Sequence, residues 1–273
     1  MNYFDTTYLV SIELSNMCNY SHMHKKCPVS TRTTKEILPA FVVYDIIDTL
    51  SKYNYNQSIG FYQYSESLID PRLFKFIEYA SLKCPDANIV VGTNGWYFTE
   101  VLAGELYEAG VTYILISAYS QSELNRFNKI RDNIAPLYKD KSFFIRSRVS
   151  GGLDGRMYMN GSKPSRKGGR KCYSPLSYIL VTSNGKTGFC CADFNREYSY
   201  GDVSVDGFEE VIMANYQYLS YIRDELIEGE RTLELCKKCN FSMWLSAYRY
   251  GRDIRPEKRL LEQHLLETIE ENQ

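Results

Sequence analysis

The chain has 273 residues, 44% of them hydrophobic, with a formal net charge of −1. That is core enough for one large domain, or one domain plus a small appendix, and the charge balance excludes a nucleic-acid or acidic-membrane partner recruited by bulk charge. The N-terminus MNYFDTTYLV has no basic segment or long apolar run of an export signal, and no stretch reaches about eighteen consecutive apolar residues, so the chain reads as cytoplasmic with no transmembrane helix.

Strand and helix alternate from the start. YLVSIEL (8–14) predicts a short apolar strand, and CNYSHMHKKCP (18–28) follows it, with His22 and His24 between two cysteines. PAFVVYDIIDTLSKY (39–53) has apolar residues at helical spacing, and QSIGFYQ (57–63) reads as a strand. DPRLFKFIEYASLK (70–83) predicts a helix with Asp70 as cap and Pro71 at its first position. NIVVG (88–92) predicts a strand, and FTEVLAGELYEAG (98–110) a helix closed by Gly110. VTYILIS (111–117) is a strand, residues 120–138 a helix, and SFFIRSRV (142–149) a strand. Units of this length imply a parallel sheet, doubly wound or barrel-like.

The rhythm then changes. Residues 151–171 are rich in glycine and basic side chains and read as a loop or linker. In YILVTSNGKTGFCC (178–191), Asn184-Gly185 between two apolar runs signals a hairpin. DGFEEVIMANYQYLSYIRDELIEG (206–229) reads as a helix, LCKKC (235–239) follows, and the tail places Leu261, Leu265 and Ile269 on one face of a last helix.

Seven of the eight cysteines fall in two groups: 18 and 27, then 172, 190, 191, 236 and 239. Cys84 stands alone, as a small buried hydrophobe does. Without an export signal, clustered cysteines point to metal rather than disulfides. Cys172, the hairpin end and Cys236-x-x-Cys239 bring enough thiolates for one site, and sulfur ligation of this kind suits either zinc or an iron–sulfur cluster.

Cys172-x17-Cys190-C-A-D-F-N, a G-D-V-S turn (201–204), a helix bearing Ile222-Arg223 and C-K-K-C together resemble the twitch segment, the short SPASM form, of radical S-adenosylmethionine (SAM) enzymes. The resemblance covers about residues 8 to 242 and implies an auxiliary [4Fe–4S] cluster on Cys172, Cys190, Cys236 and Cys239, with Cys191 spare. IELSNMCN and Cys27-Pro28 resemble the flanks of the superfamily's Cys-x3-Cys-x2-Cys loop, whose thiolates hold a [4Fe–4S] cluster with one iron open to SAM. Here the spacing is C-x3-H-x4-C, and His22 stands where the second cysteine belongs. Two readings stay open: an imidazole, His22 or His24, is the third ligand, as imidazoles are in Rieske-type clusters, or the site holds no redox cluster. Tyr64-Ser65-Glu66-Ser67 falls where the family has GGEP, Thr93-Asn94-Gly95 resembles its TNG, Ser117 ends the fourth strand, and Arg156 lies where a relative has an arginine near SAM and substrate. Each alone is an ordinary turn, cap or solvated charge; in this order after these strands they are far more specific.

The resemblance implies a partial (β/α)6 barrel over 1–150, the linker 151–171, a twitch domain of hairpin plus helix over 172–242, and a C-terminal helix over 243–273. It implies a radical SAM oxidoreductase whose 5′-deoxyadenosyl radical takes hydrogen from a polar small molecule such as a sugar or aminocyclitol. The electron would come from a reducing partner such as flavodoxin or ferredoxin. A peptide-modifying maturase and a non-catalytic iron–sulfur or zinc protein are the alternatives.

Overall fold

The computed structural model describes residues 2–22, 27–147, 172, 174–191, 193 and 196–238. Arg156, His24, Cys239, the 151–171 linker and the tail helix lie outside the described residues.

The N-terminal part alternates β1 (Leu9–Ile12), α1 (Ala40–Lys52), β2 (Ser58–Phe61), α2 (Leu73–Lys83), β3 (Asn88–Thr93), α3 (Glu100–Glu108), β4 (Tyr113–Ala118), α4 (Gln121–Ile134) and β5 (Ser142–Ser147). There follow β6 (Tyr178–Val181), β7 (Lys186–Gly188), β8 (Ser199–Asp202), α5 (Val203–Asp206), α6 (Phe208–Ile227) and α7 (Glu234–Lys238). Among the described residues the strands form one sheet, ordered β5-β4-β3-β2-β1-β6-β7-β8. β1 to β5 are parallel, and β6 runs parallel to β1 from Leu9↔Tyr178 to Ile12↔Val181. The sixth parallel strand is therefore the first strand of the hairpin. β7 and β8 extend the sheet antiparallel.

The helices form because their apolar residues recur at three- and four-residue steps and find one shared face. α1 buries Val42, Val43, Ile46, Ile47 and Leu50, and α2 buries Leu73, Phe76, Ile77 and Ala80. They pack on Val10, Ile12, Ile59, Val91, Ile114 and Ile116 of the sheet. Alternate strand residues turn inward: Leu9, Tyr178 and Leu180 on one side, Val90, Tyr113 and Leu115 on the other, with Tyr62 packed against both sets. Burial on both faces is why these strands read as continuous apolar runs.

Several boundaries differ from the sequence expectation. Asp70-Pro71-Arg72 is a turn ahead of α2, in which the Asp70 carboxylate accepts the Arg72 backbone N–H (2.9 Å) and pairs with its guanidinium (2.7 Å). The expected helix over 206–229 is broken at Gly207, whose φ of +84° suits glycine. α6 starts beyond it and is capped from α1, where Asp45 Oδ2 accepts the Phe208 N–H (2.8 Å). β8 has no apolar alternation to announce it; it forms by pairing with β7. Among the described residues no helix is long and apolar enough to cross a membrane.

Candidate active site

The C-terminal ends of the parallel strands surround a cleft of about 560 Å³, open to solvent. In parallel α/β folds this is the end where loops meet to form sites. Cys18, Cys27, Tyr64, Ser65, Glu66, Thr93, Asn94 and Ser117, all singled out by sequence, line this one cleft. Tyr62 lies across the sheet: a Cβ at Gly60 or Gly92 would come within 2.7 Å of its side chain, so both glycines make room for it.

Glu66 is buried, and its carboxylate is turned toward the end of β3. Oε1 accepts from Thr93 Oγ1 (2.6 Å) and Leu68 N (3.1 Å), and Oε2 accepts from Asn94 N (2.7 Å). Burial pushes its pKa up, against the pull of these donors. Thr93 Oγ1 also accepts the Gly95 N–H (2.9 Å). Gly95 sits at φ +77°, where a Cβ would meet Phe127 at 2.2 Å, so the tight turn requires glycine. Asn94, held this way, donates from Nδ2 to Asn19 Oδ1 (2.7 Å) and to Cys18 Sγ (3.7 Å).

Cys18 and Cys27 pack in one small group with Val29 and Tyr64. Burial pushes the Cys18 thiol up to about 11, with Glu66 and Cys27 adding to the rise, while N–H donors from Tyr20 (3.4 Å) and Asn94 oppose it. Such a sulfur is a neutral thiol near pH ~7 unless a cation binds it. Tyr20 anchors the loop: its Oη donates to Glu123 Oε1 (2.7 Å), and its ring meets Trp96 and Tyr119 at 5.8 Å. Glu123 is itself fixed by the capping box that starts α4. His22 is exposed.

Arg146, which the sequence reading passed over, also lines the cleft. It pairs in register with Ser117 at the ends of β4 and β5. Its signal was a lone cation in an otherwise apolar strand, FFIRS.

The second cysteine group lies in its own small core. Cys236 is buried with Leu176, Phe189, Leu219, Ile222 and Leu226, and Cys172 and Cys190 pack against the same cluster. Cys191 turns the other way, onto Leu9, Tyr178 and Leu180, and its carbonyl accepts the Tyr64 hydroxyl (2.6 Å). Among the described residues no three His, Cys, Asp or Glu side chains gather closely enough to hold a metal ion. The chemistry of the donors fits iron–sulfur ligation: soft sulfurs in two separate groups, with N–H groups aimed at Cys18 and apolar walls around Cys236.

Residues 172–240 match the sequence model of SPASM, the iron–sulfur cluster-binding domain. This defines the class: a protein that carries an iron–sulfur domain behind an α/β core. The core narrows it. Over 240 residues the chain is 26% identical to the S-adenosyl-L-methionine-dependent 2-deoxy-scyllo-inosamine dehydrogenase of Niallia circulans, covering 85% of this chain and 92% of that one. The fold matches the crystal structure of BtrN in complex with AdoMet and 2-DOIA, with a TM-score of 0.70 at 22% identity, over 86% of this chain and 93% of the other. It also matches selenomethionine BtrN in an open conformation, with a TM-score of 0.64 at 19% identity over 86% and 92%. The chain thus carries an iron–sulfur cluster-binding SPASM domain over 172–240, behind a core with the fold of these structures and a sequence similar to the dehydrogenase over most of its length.

Proposed function

We propose that this chain is a radical SAM oxidoreductase, with [4Fe–4S] clusters and SAM as its cofactors, and that it oxidises a polyhydroxylated small molecule of the sugar or aminocyclitol class. The observation that carries this is the composition of the cleft. The positions that resemble SAM-binding motifs share it with uncharged hydroxyl and amide groups from Tyr20, Tyr62, Gln63 and Tyr119. Such groups suit hydroxyls, and a site built to hydrogen-bond them rejects analogues that lack them. The dehydrogenase that aligns with most of this chain supports the same substrate class.

In this reading Cys18 and Cys27 hold the SAM-site cluster, with His22 as third ligand on the x3 spacing from Cys18. Cys172, Cys190, Cys236 and Cys239 hold the auxiliary cluster. Tyr64, Ser65, Thr93, Asn94 and Ser117 take SAM's polar groups. Glu66 acts through Asn94, whose backbone it holds. Arg146 offers a cation to a carboxylate in the cleft, and Arg156 contacts the substrate. SAM, when bound, would supply a 5′-deoxyadenosyl radical to take one hydrogen atom from a carbinol carbon; the second electron would pass to the auxiliary cluster held by Cys172, Cys190, Cys236 and Cys239, and the hydroxyl proton to solvent, leaving the ketone. The chain's part is to hold that carbon in place, exclude water and keep the two cysteine groups in fixed relation. Flavodoxin or ferredoxin is the electron donor.

The test uses anaerobically loaded, reduced enzyme with aminocyclitols deuterated at the carbinol carbons. Deuterium entering 5′-deoxyadenosine, with a ketone as product, is expected. Transfer only from a peptide, with a crosslink formed, would replace this reading with a maturase.

A further inference from the structure

A buried ionic cluster joins the two halves of the chain, and the sequence motifs give no hint of it. Glu13 follows β1 and is fully buried. Its backbone N–H continues the sheet to Val181 O (2.8 Å). Its carboxylate accepts from Arg196 Nη2, from Arg32 Nη1 (3.4 Å), from Tyr64 N (3.4 Å) and from Ser183 N (3.3 Å). Arg196 Nη1 also pairs with Glu36 Oε2 (2.9 Å), and Ser183 Oγ donates to the same oxygen (2.9 Å). Two carboxylates thus meet two guanidiniums, and the group is neutral.

Each member comes from a different functional segment. Arg32 lies shortly after Cys27, and its guanidinium is 5.7 Å from the Tyr64 ring centre. Tyr64 begins the segment that reaches Glu66, and its hydroxyl donates to Cys191 O. Arg196 ends the turn that leaves Cys190. That turn is built for it: the buried Asp193 carboxylate accepts the N–H groups of Glu197 (3.0 Å) and Tyr198 (2.9 Å), and its own N–H donates to Cys190 O (3.1 Å). Arg196 sits between them at φ +58°, a left-handed conformation unfavourable to a side chain that large. The chain accepts backbone strain and a desolvated guanidinium at one residue, although apolar replacement of buried ion pairs is often neutral or stabilising. Buried ion pairs of this kind are best attested as devices that fix register rather than as sources of stability.

We propose that Glu13 and Arg196 are positioning residues that lock the iron–sulfur hairpin onto the loops of the SAM cleft, so that the turn after Cys190 sets the geometry of the Tyr64–Glu66 segment. The inference rests on the reading that this cleft binds SAM. It goes beyond that reading by making SAM binding depend on a residue outside the cleft.

The test compares the wild type with Glu13→Gln, Arg196→Gln, Arg196→Lys and the double variant Glu13→Gln/Arg196→Gln, all loaded with iron and sulfide. Two quantities are read: amide hydrogen exchange over residues 62–68 without SAM, and the Kd for SAM itself. Arg196→Gln is expected to speed exchange over 62–68 and weaken SAM binding by about tenfold at unchanged iron content, and the lysine variant should recover part of both. The double variant should be no worse than either single one, because both act through the same contact. Unchanged exchange and affinity in Arg196→Gln, or strictly additive effects, would overturn the proposal. So would unfolding of the double variant, in which the pair is neutralised together, since that would assign the pair to stability alone. A wild type that binds no SAM would refute the functional reading, while the exchange arm would still decide whether the lock exists.

Discussion

Replacing Thr93 by valine tests the hydrogen-bonded turn that carries Asn94. The two side chains have nearly the same shape, and Thr93 is 7% exposed, so the change removes bonds without opening a cavity. Two bonds go: the donor to the Glu66 carboxylate (2.6 Å) and the acceptor for the Gly95 N–H (2.9 Å). A bond to a charged group contributes roughly 1.5–3 kcal/mol and a neutral one roughly 0.5–1.5, so the expected loss is about 2–4 kcal/mol. For a chain of this size that lowers the midpoint of a thermal melt by roughly 5–15 °C. The pH dependence gives a second check. Burial holds the Glu66 pKa above the ordinary carboxylate range, and the Thr93 bond opposes that rise. Without the bond the folded pKa rises further. A raised folded pKa means stability that is whole below the unfolded pKa and is lost as pH climbs through the folded one. The penalty of Thr93→Val should therefore be larger at about pH 7 than at about pH 4. Melts of wild type and variant across that range measure it. A shift under about 1 °C, or a penalty that does not grow with pH, would refute this account of the turn.

Cys190→Ala should lower iron content by about four atoms per chain while Cys191→Ala leaves it intact, because Cys190 packs with Cys172 and Cys236 and Cys191 faces Leu9 and Tyr178; equal losses in an iron and sulfide assay would contradict the assignment. Tyr20→Phe removes the hydroxyl bond to Glu123 and should cost about 1–3 kcal/mol in denaturant unfolding, with weaker SAM binding, since only the ring contact to Trp96 and its neighbours would then tie the loop to α4 and the turn after β3. Burial pushes the Cys84 thiol up to about 11, so in cluster-free native protein it should resist alkylation at about pH 8 until denaturant is added. Labelling of Cys84 as fast as an exposed thiol would count against that burial.

Much of the core was legible because parallel strands and their covering helices repeat a simple pattern. β1 to β5 and α1 to α4 appear where the periodicity put them, within a few residues. The cleft was legible for a related reason: its motifs follow strand ends, and the sheet brings strand ends together. What escaped depends on distant partners. The break at Gly207 and the cap from Asp45 need α1 beside α6. β8 exists only because β7 offers an edge. The orientation of Glu66 toward β3, away from an open donor role, follows from Thr93 and Asn94 lying across the strand pair. The pairing of Glu13 with Arg196 spans 183 positions, and although Glu13 lies in the IELSNMCN stretch, no local pattern links it to Arg196.

The central claim is that this cleft does radical chemistry on SAM. The most direct measurement is to reconstitute the full chain anaerobically with iron and sulfide, reduce it, add SAM, and quantify methionine and 5′-deoxyadenosine. With about eight irons per chain, both products should form in equal amounts. Protein with that full complement that forms neither, or protein that takes up stoichiometric zinc and no sulfide, would contradict the account.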